Sequence, residues 1–175
     1  QLDARLRMLE PEDARLVGQV ERFLEWQHHP LAETSPAVDS AYEGLLAEIT
    51  NPTLRDMVTY RMNLRTIMAA LRRRHHGEGA PGPGEIWGVG GWVRHLERRW
   101  SDPHLGLSAA QPWVAKAHEL QEAGESLELE RLLMGLVWDY LVRLTEGRYF
   151  TLEGVLAYIF KWEILSRWLG YDRER

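Results

Sequence analysis

Residues 149–171, YFTLEGVLAYIFKWEILSRWLGY, constrain the fold more than any other stretch of the chain. At about 100° per residue, Leu152, Val155, Leu156, Tyr158, Ile159, Phe160, Trp162, Ile164, Leu165, Trp168 and Leu169 fall on every side of a helical wheel. A helix that is apolar around its circumference has to be surrounded, either by the other helices of its chain or by a partner protein. Its charges are Glu153, Lys161, Glu163 and Arg167. Glu163 lies on the wheel between Leu152, Leu156 and Ile159. An i,i+4 pair with Arg167 is the expected way to tolerate that carboxylate and fix the helix register. Thr151 is the expected N-cap and Gly170 the expected C′ residue.

The remaining periodic segments are also helical. Pro11, Glu12 and Asp13 read as a first turn, with Leu16, Val17, Val20, Phe23 and Leu24 on one face until His28, His29 and Pro30. Ser35 and Pro36 open a second helix carrying Val38, Tyr42, Leu45, Leu46 and Ile49, closed by Thr50, Asn51 and Pro52. The third runs from Pro52 to about His76, with Leu54, Met57, Val58, Leu64, Ile67, Met68 and Leu71 on one stripe. Arg61 falls within that stripe, Arg65 and Arg72 along its edge, and Arg72, Arg73, Arg74, His75 and His76 crowd the last turn before Gly77. Further helices are expected through Leu96 to Trp100, from a Ser108 cap to Glu122, and from Leu129 to Leu144. No segment alternates as a strand does, so the fold class is all-α, a bundle of six to seven helices. The run GEGAPGPG at 77–84 has no apolar period and reads as a linker, giving an N-terminal lobe at 1–76 and a C-terminal lobe at 85–175 that together pack as one domain or two.

Composition excludes several functions. The chain has 175 residues, enough for one domain with a core or two small helical lobes. It contains no Cys, so disulfides, thiolate zinc sites and thiol catalysis are absent, as expected in a reducing compartment. A formal net charge of −5 disfavours nucleic acid as a partner over the whole surface. No apolar run reaches the ~20 residues of a membrane span, and the first residues are no secretory signal. The expected location is the cytoplasm, peripheral to the membrane through a complex. A start at Gln1 rather than Met is what a piece of a longer protein would show. Eight Trp bring large apolar rings that must be packed within the chain or against a partner.

No motif announces chemistry. Glu25-x-x-His28 is half of a di-iron pattern without its second half, and the adjacent pairs His28-His29 and His75-His76 point to different helix faces. GVGGW at 88–92 fails the dinucleotide fingerprint, because Val93 stands where its last glycine belongs. Acid pairs such as Glu43 and Glu48, or Glu119 and Glu122, are ordinary wet-face residues. We expect no catalytic residues, no metal and no cofactor. Two surfaces are candidate interfaces. One is the flank of Arg61, Arg65, Arg72, Arg73 and Arg74, suited to an acidic protein or to phosphates. The other is the Trp pair Trp162 and Trp168, since Arg and Trp anchor interfaces.

Two stretches carry a resemblance. LRDMVTYRMNLRTIMAALRRRHHG, through Asn63, Leu64, Ile67, Leu71, Arg72 and Gly77, resembles the C/d-type central-stalk family of V/A-type rotary ATPases. LEGVLAYIFKWEILSRWLGY, through Tyr158, Lys161, Glu163, Ile164 and Arg167, is similar to that family's closing helix. Tyr60 replaces an acidic residue and Ser166 an Asn, and the chain is about half the family's length, as in a short, divergent bacterial relative. The resemblance implies an all-helical, non-catalytic adaptor coupling the central stalk to the membrane ring in ion transport, with other protein subunits as partners. The alternative is a small helical regulator that binds nucleic acid or an acidic partner through the arginine flank.

Overall fold

A computed structural model describes residues 11–24, 36–147 and 151–173. The described residues form seven α-helices and no strand: α1 (Pro11–Leu24), α2 (Pro36–Glu48), α3 (Pro52–His75), α4 (Val93–Arg98), α5 (Trp113–Glu122), α6 (Ser126–Leu144) and α7 (Leu152–Arg173), with a 3-10 turn at Pro103–Gly106. The fold is therefore an all-α helical bundle, as the periodicity requires. Among the described residues no helix is long and apolar enough to cross a membrane. The chain divides into two compact units, Phe23–Leu132 and Gln1–Arg22 with Leu133–Arg175. Residues 77–84, which composition marks as a linker between lobes, lie inside the first of these.

In the Phe23–Leu132 unit the surrounded helix is α3. Every residue from Leu64 to Leu71 is buried, including Arg65 and Thr66. Ala69 and Ala70 leave room for neighbours on the side away from the leucines, which a longer side chain would close. Asn51 starts α3 by accepting from Thr53 N at 2.9 Å and Leu54 N at 3.2 Å, with Pro52 in the first turn. Gly77 (φ 74) ends it: Gly77 N donates to Arg74 O and Glu78 N to Arg73 O, a Schellman closure. The Arg55 guanidinium donates back to the Leu46 and Ile49 carbonyls, satisfying the end of α2, and Tyr42 Oη meets Thr59 Oγ1 at 3.4 Å.

The Gly-rich run packs on α3 through backbone. Thr66 Oγ1 donates to Val89 O at 2.7 Å and accepts from Val89 N at 2.9 Å, so one buried hydroxyl serves both main-chain groups of a residue that has no helix or strand to do so. Asn63 Oδ1 accepts from Gly91 N at 3.1 Å. A Cβ on Gly88 would stand 2.6 Å from Thr66 Cγ2, and one on Gly90 (φ 92) 2.6 Å from Asn63 Oδ1. These glycines serve a close approach to a helix. Just before them Trp87 is buried, its Nε1 donating to Glu97 Oε1 at 3.1 Å and its ring edge-on to Trp100 at 5.8 Å.

In the other unit, Val17 and Val20 of α1 are fully buried; so are Leu133, Val137 and Leu141 of α6 at i,i+4 spacing, with Met134 beside them. From α7 come Leu156, Ala157, Ile159, Phe160 and Ile164. Thr151 Oγ1 accepts from Gly154 N at 3.3 Å, the expected N-cap.

Three boundaries differ from the sequence reading. The helix after Ser108 begins only at Trp113, with Pro112 as its cap residue, and Ser108 Oγ bonds His104 Nδ1 at 3.2 Å instead. The helix expected through Leu96 to Trp100 ends at Arg98. Gly170 does not stop α7, which continues to Arg173, because an interior glycine costs only ~1 kcal/mol.

Thr66→Val should lower unfolding free energy by roughly 2–3 kcal/mol, since Val89 N–H and C=O are left buried without partners. Thr66→Ser, which keeps the hydroxyl, should cost about 1 kcal/mol or less. Urea unfolding of the three proteins tests this; a loss in Thr66→Val no larger than that in Thr66→Ser would remove the hydroxyl as the deciding contact.

Candidate functional site

The arginine flank of α3 is largely occupied within its own unit. Arg65 is only 2% exposed, on the interior side of α3, and so offers no surface contact. Arg72 is half-buried, and desolvation lowers its pKa from the usual guanidinium value. Arg73 pairs with Glu78 at 3.0 Å and with Glu85 at 2.6 Å, drawing 77–84 back onto the end of the helix. Glu85 closes that loop by accepting from Gly82 N at 2.9 Å. Arg74 Nη1 donates to the Asp102 carbonyl at 2.9 Å, and Arg99 pairs with the Asp102 carboxylate at 3.0 Å. Arg61 is partly buried. Of the expected basic ridge, Arg73 and Arg74 are thus ties at the C-terminal end of α3, where the helix dipole favours cations.

The Trp candidates separate. Trp168 packs against Trp138 with ring centroids 5.8 Å apart and planes tilted by 32°. Lys161 Nζ stands 5.9 Å from the Trp138 centroid and 3.4 Å from Thr145 Oγ1. Trp162 points the other way and is 57% exposed; Leu165 is 38% and Leu169 61% exposed. At i, i+3 and i+7 these three share one helix face. The circumferential burial expected of this helix thus holds for Ile159 and Phe160 but not for Trp162 and Leu165. Glu163 is partly exposed, and the Arg167 side chain of the expected pair lies outside the described residues, as do Glu25, His28 and His29.

One constellation has no counterpart in the sequence reading. Glu122 Oε1 on α5 lies 2.7 Å from His75 Nδ1 on α3 and 4.0 Å from His118 Nδ1, one turn earlier on its own helix. The His104 ring meets the His118 ring at 5.7 Å, and His76 meets His75 at 5.5 Å. The i,i+4 spacing of His118 and Glu122 was legible, but His75 is 47 positions from Glu122 and no local pattern joins them. Among the described residues no group of three or more His, Asp or Glu stands placed to hold a metal ion.

Two carboxylates are held below their ordinary pKa. For Glu85 the main cause is the Arg73 hydrogen bond, with Gly82 N–H adding; for Glu122 it is the His75 hydrogen bond, with the charges of His75 and His118 adding. A depressed carboxylate stabilises the fold above its unfolded pKa and loses that contribution as pH falls through the folded pKa. Stability should therefore decline as pH drops from about 5 to the folded pKa values, and the slope should be shallower in Glu85→Gln. Denaturant midpoints measured at pH 7, 5, 4 and 3 test this; an identical profile in Glu85→Gln would remove Glu85 as a contributor.

Residues 40–175 match the family described as "Protein of unknown function (DUF2764)". No curated protein and no solved structure matches the chain.

Proposed function

The chain belongs to the DUF2764 family, and, from the sequence resemblance rather than from that membership, we propose that it is a non-catalytic helical adaptor resembling the C/d-type central-stalk component of V/A-type rotary ATPases. On this reading it couples the central stalk to the membrane ring on the cytoplasmic side, peripheral to the membrane through its complex, and its partners are other protein subunits. The observation that carries the reading is the apolar face of Trp162, Leu165 and Leu169, left uncovered on the helix whose sequence bears the resemblance. Trp is the residue type that most often anchors a protein interface, and an isolated soluble chain gains nothing by leaving it in water. The all-α fold supports the reading by agreeing in class with what the resemblance implies.

The residues of the first resembling stretch speak to shared architecture more than to shared contacts. Leu64, Ile67 and Leu71 fill the interior, Asn63 holds the Gly-rich run, and Gly77 ends α3. The alternative, a regulator binding nucleic acid or an acidic partner through Arg61, Arg65, Arg72, Arg73 and Arg74, has less support. Arg65 is interior, and Arg73 and Arg74 already hold their own unit together.

A photo-crosslinking residue at position 162 of the full chain, expressed in its native host, tests the adaptor reading. Capture of a stalk or ring component of a rotary ATPase is the expected result, lost when Leu165 and Leu169 are both changed to Ser. Crosslinks confined to proteins outside such a complex, or binding to a DNA duplex whose affinity rises as salt is lowered, would overturn it.

A further inference from the structure

The uncovered face of α7 extends beyond its three most exposed residues. Val155, Tyr158, Trp162, Leu165 and Leu169 recur at intervals of three, four, three and four, the a/d row of a heptad. At 100° per residue they span an arc of about 80°. Leu156, Ala157, Ile159, Phe160 and Ile164, all buried, occupy the other side of the helix. Val155 and Tyr158 are partly covered, and from Trp162 onward the row is exposed. The helix therefore has two distinct apolar sides, one filled and one free.

The free row selects the form of its occupant. The main chain of an α-helix spends its amides and carbonyls on its own i→i−4 bonds, so no strand can be added to it, and a single convex row of side chains fits the groove of another helix. Two flanking positions say which helix. Lys161 precedes Trp162 at the g position; its Nζ stands 5.9 Å from the Trp138 centroid and 3.4 Å from Thr145 Oγ1, and among the described residues no carboxylate pairs with it. Ser166, which is exposed, holds the e position. A second copy of α7 run parallel would set Trp162 on Trp162 and Lys161 against Ser166. Run antiparallel so that Trp162 meets Leu165, a second copy would set Lys161 against Ser166 again. Neither arrangement gives the ammonium a counter-charge.

We propose that this face takes one amphipathic helix of a different protein, laid along the row as a two-stranded coiled coil, with a small residue opposite Trp162 and an acidic residue opposite Lys161. The inference rests on the reading of the face as the adaptor's interface and adds to it the form of the partner. An indole enters a helix seam only where the facing hole is lined by small side chains, since a second large side chain in the same layer overpacks it. Lys161 fixes register and choice of partner more than affinity: an ion pair at a wet edge is weak, while a like charge placed there repels.

The test places a photo-crosslinking residue at positions 155, 158, 162, 165 and 169 of the full chain, one at a time in its native host, and maps the crosslinked peptides by mass spectrometry. The five positions should reach one continuous segment of one partner, in order along it and in steps of three or four residues. With the crosslinker at 162, Lys161→Glu should lower the yield about tenfold and Lys161→Arg should retain it. Which protein is captured bears on the adaptor role; the spacing of the contacts along it bears on this inference, whichever protein it is. Contacts scattered over separate segments, contacts in two-residue steps, capture of a second copy of the chain, or no crosslink at any position overturns the proposal. Equal yields in Lys161→Glu and Lys161→Arg overturn it as well.

Discussion

The Phe23–Leu132 unit depends on one hydroxyl. Thr66 sits inside a helix turn that is buried on every side, where a polar side chain is a liability unless each of its bonding positions is used. It uses them on the amide and carbonyl of Val89, and in doing so lets an irregular segment lie directly on a helix without burying unpaired backbone. The path of the Gly-rich run follows from that contact. Gly88 and Gly90 exist because the approach leaves no room for Cβ; Trp87 and Val89 are thereby delivered into the interior, and Trp87 in turn seats Trp100 and the end of α4.

Which helix is surrounded was only half visible in the sequence. The 149–171 stretch has the larger side chains and so dominates any reading by hydrophobicity. Yet an apolar circumference states a demand, and the described residues meet it on one side of α7 and leave it open on the other. In α3 the run LRTIMAAL contains an Arg and a Thr, and its all-round burial comes from small residues that allow close packing, a property that a wheel of hydrophobicity does not register. Local signals were legible for the same reason that they are local. Asn51 with Pro52, Gly77 and Thr151 act within one turn of themselves, and all mark helix ends as read. The Gly/Pro run at 77–84 correctly signals the loss of periodic structure, but composition carries no information about Arg73 reaching across to Glu78 and Glu85. The contacts that make the candidate sites, Thr66 with Val89 and His75 with Glu122, span 23 and 47 positions and have no periodic trace.

The arginines bear on the two surfaces considered for a partner. A row of Arg at a helix end looks, in sequence, like a surface waiting for anions. Here it is consumed locally: one guanidinium is interior, one folds the following loop back, and one holds the carbonyl of Asp102. The Arg73 tie to Glu78 and Glu85 offsets its cation, while the bond of Arg74 to a neutral carbonyl fixes the guanidinium without removing its charge. The uncovered feature is instead the face of Trp162, Leu165 and Leu169, which has no charge to screen. Association through such a face draws on apolar area removed from water, about 25 cal/mol per Å², and so should be nearly indifferent to ionic strength. An arginine ridge would behave in the opposite way. The salt dependence of whatever the protein binds therefore distinguishes the two surfaces before any partner is known.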